Sequence, residues 1–261
     1  MTDFGGGKAA DAIGYLDNIT SSTLGLTFKR ELLGVLDLRP GHTALDLGCG
    51  PGSDLAGIRE RIAPTGLVIG IDHDSVMCEE ARRRFRDFPD VDVRCGDAHA
   101  LPLPNNSIDR VRAERVLMHV TDPPQVLAEL RRVLRPGGMI TLAEPDWDTL
   151  VVDHPDQGIS RAFTRFASTE LVRHGSIGRQ LLRLCVDVGF RIRFVTARTT
   201  VHRDFSSAHA VWGLDMATER AVTAGYLTKK AGRNWLEYLR SGPFLGAITF
   251  FTVVAESCHL D

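Results

Sequence analysis

Leu45-Asp46-Leu47-Gly48-Cys49-Gly50-Pro51-Gly52 decides how the chain is read. Thr43 to Leu47 is a short apolar run, and Ser53–Ile62 carries a helical pattern. The glycines therefore fall where a strand turns into a helix. Glycine there permits a tight turn and lets a ligand approach the backbone. Nicotinamide-dependent enzymes also use a glycine-rich turn, but with the spacing G-x-G-x-x-G, whereas this stretch reads G-x-G-x-G. Asp46 lies inside the strand. An acid there repels a dinucleotide's pyrophosphate and suits a cationic amino-acid group.

Outward from this turn, strands and helices alternate. Further strands are predicted at Leu67–Ile71, Val91–Cys95, Ile108–Ala113 and Met139–Ala143, with helices at Ser75–Phe88 and Pro124–Leu134 between them. Alternation of this kind implies βαβ units, a mainly parallel sheet and helices on both faces, an α/β fold. Helices are predicted before it, within Ala9–Leu38, and after it at Gln157–His174, Ile177–Val188, Ser206–Ala224 and Thr228–Arg240. Arg191–Val201 and Phe244–Ala255 add two more strands.

Carboxylates recur at the predicted strand ends. Asp72, with His73 beside it, ends the second strand, where an acid can accept both hydroxyls of a ribose. Gly96-Asp97-Ala98 follows the third, where an acid can accept from an adenine amino group, and Leu101-Pro102-Leu103-Pro104 can wall a ring face. Asp109 is expected to brace the fourth strand.

Together these segments resemble the class I S-adenosylmethionine-dependent methyltransferases, in particular the domain of the ubiquinone/menaquinone-biosynthesis type. The resemblance rests on LDLGCGPG at 45–52, IGIDHD at 69–74, GDAHALPLPNNSIDRV at 96–111, VLMHV at 116–120 and LRRVLRPGG at 130–138. It implies a Rossmann-like, doubly wound, seven-stranded sheet whose last strand runs antiparallel, with helical cap insertions. The chain then divides into an N-terminal cap segment (1–42), the cofactor-binding core (43–152) and a remainder with substrate-lid insertions (153–261). S-adenosyl-L-methionine is the implied cofactor. Asp46, Gly48, Cys49, Gly50 and Gly52 would line its methionine part; Asp72 and His73 would meet the ribose, and Asp97 and Ala98 the adenine. Ala113 and Glu114 would lie near the sulfonium, where the family usually has a small or hydroxylated residue; Glu114-Arg115 departs from it.

A sulfonium already activates its methyl group, so the protein must align a nucleophile and, for some acceptors, remove a proton. Candidate bases lie beyond strands four and five: His119, Glu144 and Asp146, with His154 and His202 as weaker ones. Tyr15 is a candidate for closing over the cofactor. Aromatic residues of the later helices, among them Phe163, Phe166, Trp212 and Trp235, either enclose a substrate or bury the cap against the core.

The bulk numbers agree with a small-molecule enzyme. The 261 residues are 43% hydrophobic and 25% charged, with a formal net charge of −2, so no basic excess speaks for nucleic acid. The 5 cysteines are scattered, without a C-x-x-C pair, and are expected to be reduced thiols of a cytoplasmic protein rather than disulfides or a metal site. Neither a bilayer-spanning run nor a signal peptide is expected. The C-terminal strand or the cap offers a surface for a homodimer. The favoured acceptor is a small molecule; a quinone-like or other secondary metabolite is suggested by analogy with the family alone. Three rivals stay open: a non-methylating reaction such as cyclisation or decarboxylation on the same cofactor, a nicotinamide-dependent oxidoreductase, and a binding protein that keeps the fold.

Overall fold

In the computed structural model, which describes residues 13–14, 16–17 and 23–258, seven strands form one sheet in the order β3-β2-β1-β4-β5-β7-β6. The strands are β1 (Thr43–Leu47), β2 (Leu67–Asp72), β3 (Val91–Cys95), β4 (Ile108–Glu114), β5 (Leu134–Val152), β6 (Phe190–His202) and β7 (Gly246–Ser257). β1 pairs parallel with β2 and β4, and β7 runs antiparallel between β5 and β6.

β1, β2 and β4 coincide with the predicted runs because they are buried between two helix layers, whereas β3 is a partly exposed edge strand and β5 extends well beyond the predicted Met139–Ala143 in both directions. On one face α2 (Leu55–Ile62) and α3 (Ser75–Phe85) cover Ala44, Val68 and Val93. On the other, α4 (Pro123–Val133) and α6 (Ile177–Val188) join the larger core with Leu45, Val111, Ile140 and Leu142. Asp74 caps α3 by accepting the Val76 amide at 2.8 Å, and Asp122 caps α4 through the Gln125 amide at 3.1 Å. Asp109 accepts the Thr43 amide at 2.8 Å and pairs with Arg135 at 2.6 Å, the expected brace.

Before the sheet lies α1 (Thr23–Val35). After β5 come α5 (Gln157–Phe166), α7 (Phe205–Trp212), α8 (Leu214–Thr223) and α9 (Lys229–Ser241). Three expectations change. The predicted helix at Ser206–Ala224 is two, broken at Gly213, whose φ of 56° ends α7. The one at Gln157–His174 ends its regular part at Phe166 and closes with a π turn, Ala167–Leu171. β7 is an interior strand whose two edges are taken by β5 and β6, so the C-terminal strand has no free edge for a second copy. No helix among the described residues is long and apolar enough to cross a membrane.

The chain reaches β3 at one edge and then crosses to β4, on the far side of β1. This places a topological switch point between β1 and β4, and ligands of open α/β sheets bind in the crevice beyond the strand ends at such a point.

Candidate active site

The turn from β1 folds as the glycines require. Gly48, Gly50 and Gly52 have φ of 70°, 53° and 85°, which side-chain-bearing residues rarely adopt. At Gly48 a Cβ would stand 2.4 Å from Cγ2 of Val116, so the loop touches the segment after β4. The Gly48 amide donates to the Ile71 carbonyl at 2.7 Å, and the Gly50 amide to Asp72 Oδ2 at 2.8 Å. Asp72 Oδ1 accepts the Asp74 amide at 3.0 Å and lies 3.3 Å from His73 Nδ1. Burial raises the Asp72 pKa, but His73 and the two amides outweigh it, so the carboxyl stays below its ordinary value. The same contact raises His73. Cys49 is buried, with its thiol 3.7 Å from the Gly50 carbonyl, and burial pushes its pKa up.

At the end of β3, Asp97 Oδ1 accepts the His99 amide at 2.9 Å and meets His99 Nδ1 at 2.6 Å. His99 Nε2 reaches the loop before α4, at Thr121 Oγ1 and the Asp122 amide, 3.1 and 3.2 Å away. Asp97 itself is exposed, and Ala98 packs against the core. Leu101 and Leu103 belong to that core as well.

Asp46 is not in the mouth of the crevice. Its carboxylate is buried against the face covered by α1 and α2, where Oδ1 meets Arg112 Nη1 at 2.7 Å. Register explains the pairing, because Asp46 on β1 stands opposite Arg112 on β4. Arg112 also reaches Asp54 at 3.0 Å and Glu114; Lys29 of α1 holds Asp54 at 2.5 Å, and Arg115 lies 3.2 Å from Glu114. Three acids and three bases thus form one network under the crevice. Burial raises Asp46 against the pull of Arg112, whereas Arg112 and Lys29 together hold Asp54 below its ordinary value. Ala113, between Arg112 and Glu114, is buried. Arg112, Asp54 and Lys29 were missed in the sequence. A signal existed for Arg112 alone, since opposite charges inside two apolar strands call for pairing; Asp54, before α2, and Lys29, on α1, carry no such mark.

The proposed bases separate. Glu144 is 0% exposed, and its Oε1 accepts the Val116 and Leu117 amides at 2.8 and 2.6 Å. Burial pushes its pKa up to about 8 in spite of these donors. Asp146 is also 0% exposed, bound by Arg179 through both oxygens and by the Asp148 amide at 3.1 Å. Neither carboxylate opens to the crevice, which is at odds with the expectation of a base: both fasten backbone or helix. His119 is half-buried in the loop that Glu144 fastens. Burial lowers its pKa to about 4, with Arg115 and His73 adding to the effect. His154 and His202 lie away in the cap, against Trp235 and Trp212 with ring centroids 5.4 and 4.8 Å apart. Phe163 packs on Trp235 at 4.9 Å, and both belong to the larger core with Leu45, Val111 and Leu142, so these aromatics bury the cap against the sheet. Tyr15 falls outside the described residues.

Comparison with known proteins bears on the family and the fold. The family model for a methyltransferase domain matches residues 45–142, from β1 to β5. The chain belongs to the class I S-adenosylmethionine-dependent methyltransferases. Its cofactor is S-adenosyl-L-methionine. This methyltransferase is 50% identical over 247 residues to an uncharacterised 37.1 kDa protein of transposon TN4556 from Streptomyces fradiae, a match covering 95% of this chain and 72% of that one. It is 34% identical over 137 residues to the demethylmenaquinone methyltransferase of Staphylococcus saprophyticus, covering 52% of this chain and 59% of that enzyme. A solved Bacillus halodurans protein assigned to the methyltransferases shares the fold, with a TM-score of 0.64 at 15% identity over 88% of this chain and 99% of that one.

Proposed function

We propose that this methyltransferase acts on a small-molecule acceptor, with the cofactor in the crevice between β1 and β4. The observation that carries this reading is the bond from the Gly50 amide to Asp72, at 2.8 Å. It fixes an open, positive-φ loop against a carboxylate that still has lone pairs for ribose hydroxyls. The residues suit the cofactor. Gly48, Cys49, Gly50 and Gly52 offer backbone to its methionine part, Asp72 with His73 faces the ribose, and Asp97 with Ala98 the adenine. Ala113 and Glu114 form the wall near the sulfur. Asp46 acts through Arg112 and not by direct contact, since it is buried in that pair.

When bound, the cofactor supplies an activated methyl group. The chain's own residues then hold the acceptor in line and keep water out. His119 is the proposed base. Its imidazole is neutral at physiological pH, and it follows the β4 end on a loop pinned by Glu144. Glu144 and Asp146 serve as braces. The cap of α5 and α7–α9 is read as a substrate lid, and the chain as cytoplasmic. A quinone-like acceptor draws support from the demethylmenaquinone methyltransferase relative, although the chain spans 59% of that enzyme's length.

Calorimetric titration with S-adenosylhomocysteine tests the site. Wild type should bind saturably, and Asp72→Ala should bind about 10- to 100-fold more weakly, as expected for hydrogen bonds to a charged group. Equal affinity in the variant would remove Asp72 from the site. Release of S-adenosylhomocysteine on turnover separates methyl transfer from cyclisation or decarboxylation.

A further inference from the structure

Arg115 has no place in the assignments above, yet the fold holds it at the switch point. It follows β4 directly, with its amide donating to the Ala143 carbonyl of β5 at 3.0 Å. Its φ is 56°, a conformation that arginine rarely adopts and that clusters at ligand clamps. Its side chain is only 23% exposed. Among the described residues its one carboxylate partner is Glu114, at 3.2 Å, and Glu114 is also bound by Arg112. A guanidinium has five N–H donors in a planar fork. Arg112, by contrast, reaches three acids, Asp46, Asp54 and Glu114. Arg115 also bears on groups from every side of the crevice: Asp54 after the glycine loop, His119, and Glu144 on β5.

We propose that Arg115 is a carboxylate-binding residue of the crevice, taking either the amino-acid end of the cofactor or the acid group of an acceptor beside it. The proposal rests on the cofactor reading given above. A carboxylate fits the fork in two parallel hydrogen bonds, which an ammonium cannot reproduce. Glu114 then orients Arg115, which explains an acid-base pair at a place where the family usually has a small or hydroxylated residue.

The test compares wild type, Arg115→Met and Arg115→Lys by calorimetry. The probes are S-adenosylhomocysteine, 5′-methylthioadenosine, which lacks the amino-acid end, and benzoate added to protein saturated with S-adenosylhomocysteine. If the cofactor's carboxylate is held, Arg115→Met weakens S-adenosylhomocysteine about 10- to 100-fold, leaves methylthioadenosine unchanged, and Arg115→Lys recovers part of the loss. If an acceptor's carboxylate is held, S-adenosylhomocysteine binds all variants alike and Arg115→Met abolishes saturable benzoate binding. Unchanged binding of both S-adenosylhomocysteine and benzoate overturns the proposal. So does an equal loss for S-adenosylhomocysteine and methylthioadenosine, which would make Arg115 a structural prop. Wild type that binds neither nucleoside overturns the cofactor reading itself, a result distinct from any failure confined to the variants. Thermal unfolding of Arg115→Lys checks that the fold survives the change.

Discussion

The acid cluster between β1 and β4 and Glu144 on β5 are buried in opposite ways. On the β1–β4 side Asp46, Asp54 and Glu114 are set among Arg112, Lys29 and Arg115. On the β5 side Glu144 meets backbone amides, and its pKa is pushed up to about 8. The first group works as charge. The second works as a protonated acid at neutral pH, whose carbonyl oxygen still accepts from the loop at 116–117. An acid at a strand end therefore does not declare its role by position. What decides is whether the fold sets a cation against it. Glu144 and Asp72 show the difference most directly: Asp72 ends β2 and Glu144 lies within β5, yet both accept two backbone amides. The His73 contact helps keep Asp72 low, whereas complete burial raises Glu144.

The largest effect that would break this contrast lies at Arg112. Replacing it with leucine leaves Asp46 buried without its cation and Asp54 with Lys29 alone, and the stability loss should be about 3–5 kcal/mol. Urea unfolding measures it. A loss under about 1 kcal/mol would mean that the acids are protonated on this side too, and the contrast would disappear. Glu144 comes next. Glu144→Ala removes the acceptor of two buried amides, at about 1–3 kcal/mol for each unsatisfied group, so a loss of roughly 2–4 kcal/mol is expected. Glu144→Gln keeps an acceptor oxygen and should cost far less. The sign of the pH effect follows from the raised pKa. The stabilisation is complete below the ordinary carboxylate value of 4.5 and is lost as pH rises through about 8. Wild type should therefore lose stability across that window relative to Glu144→Gln. Parallel curves would show that Glu144 is ionised like the acids between β1 and β4.

The same distinction explains what the sequence made legible. β1, β2 and β4 were visible because buried parallel strands read as apolar runs between helices, β3 by its alternation at the sheet edge, and the glycine turn declared itself by spacing. Asp72 was legible because a strand-end acid beside such a turn has few other uses. Asp46 was half legible: its burial followed from strand position, but its partner depended on the register of β1 against β4, a long-range fact. Glu144 and Asp146 look alike in sequence to acids that face a crevice. Their fastening to Val116, Leu117 and Arg179 comes from packing between β5, the 115–122 loop and α6, which no local pattern encodes. The break at Gly213 was hidden because helical periodicity continues on both sides of it.

The smallest expected effect concerns His119, which lies between the two regions. It is lowered to about 4, first by burial and then by Arg115 and His73, one cation near each side. A base of that pKa is neutral throughout the range in which an ordinary histidine titrates. Its contribution to kcat/KM should therefore be flat from about pH 7.5 down to about pH 5.5, and an acidic limb owing to His119 should fall near 4. The check is the pH profile of wild type set against His119→Gln, with any limb common to both assigned to other groups. A limb near 6.5 that disappears in the variant would show that the imidazole is better hydrated than the fold implies.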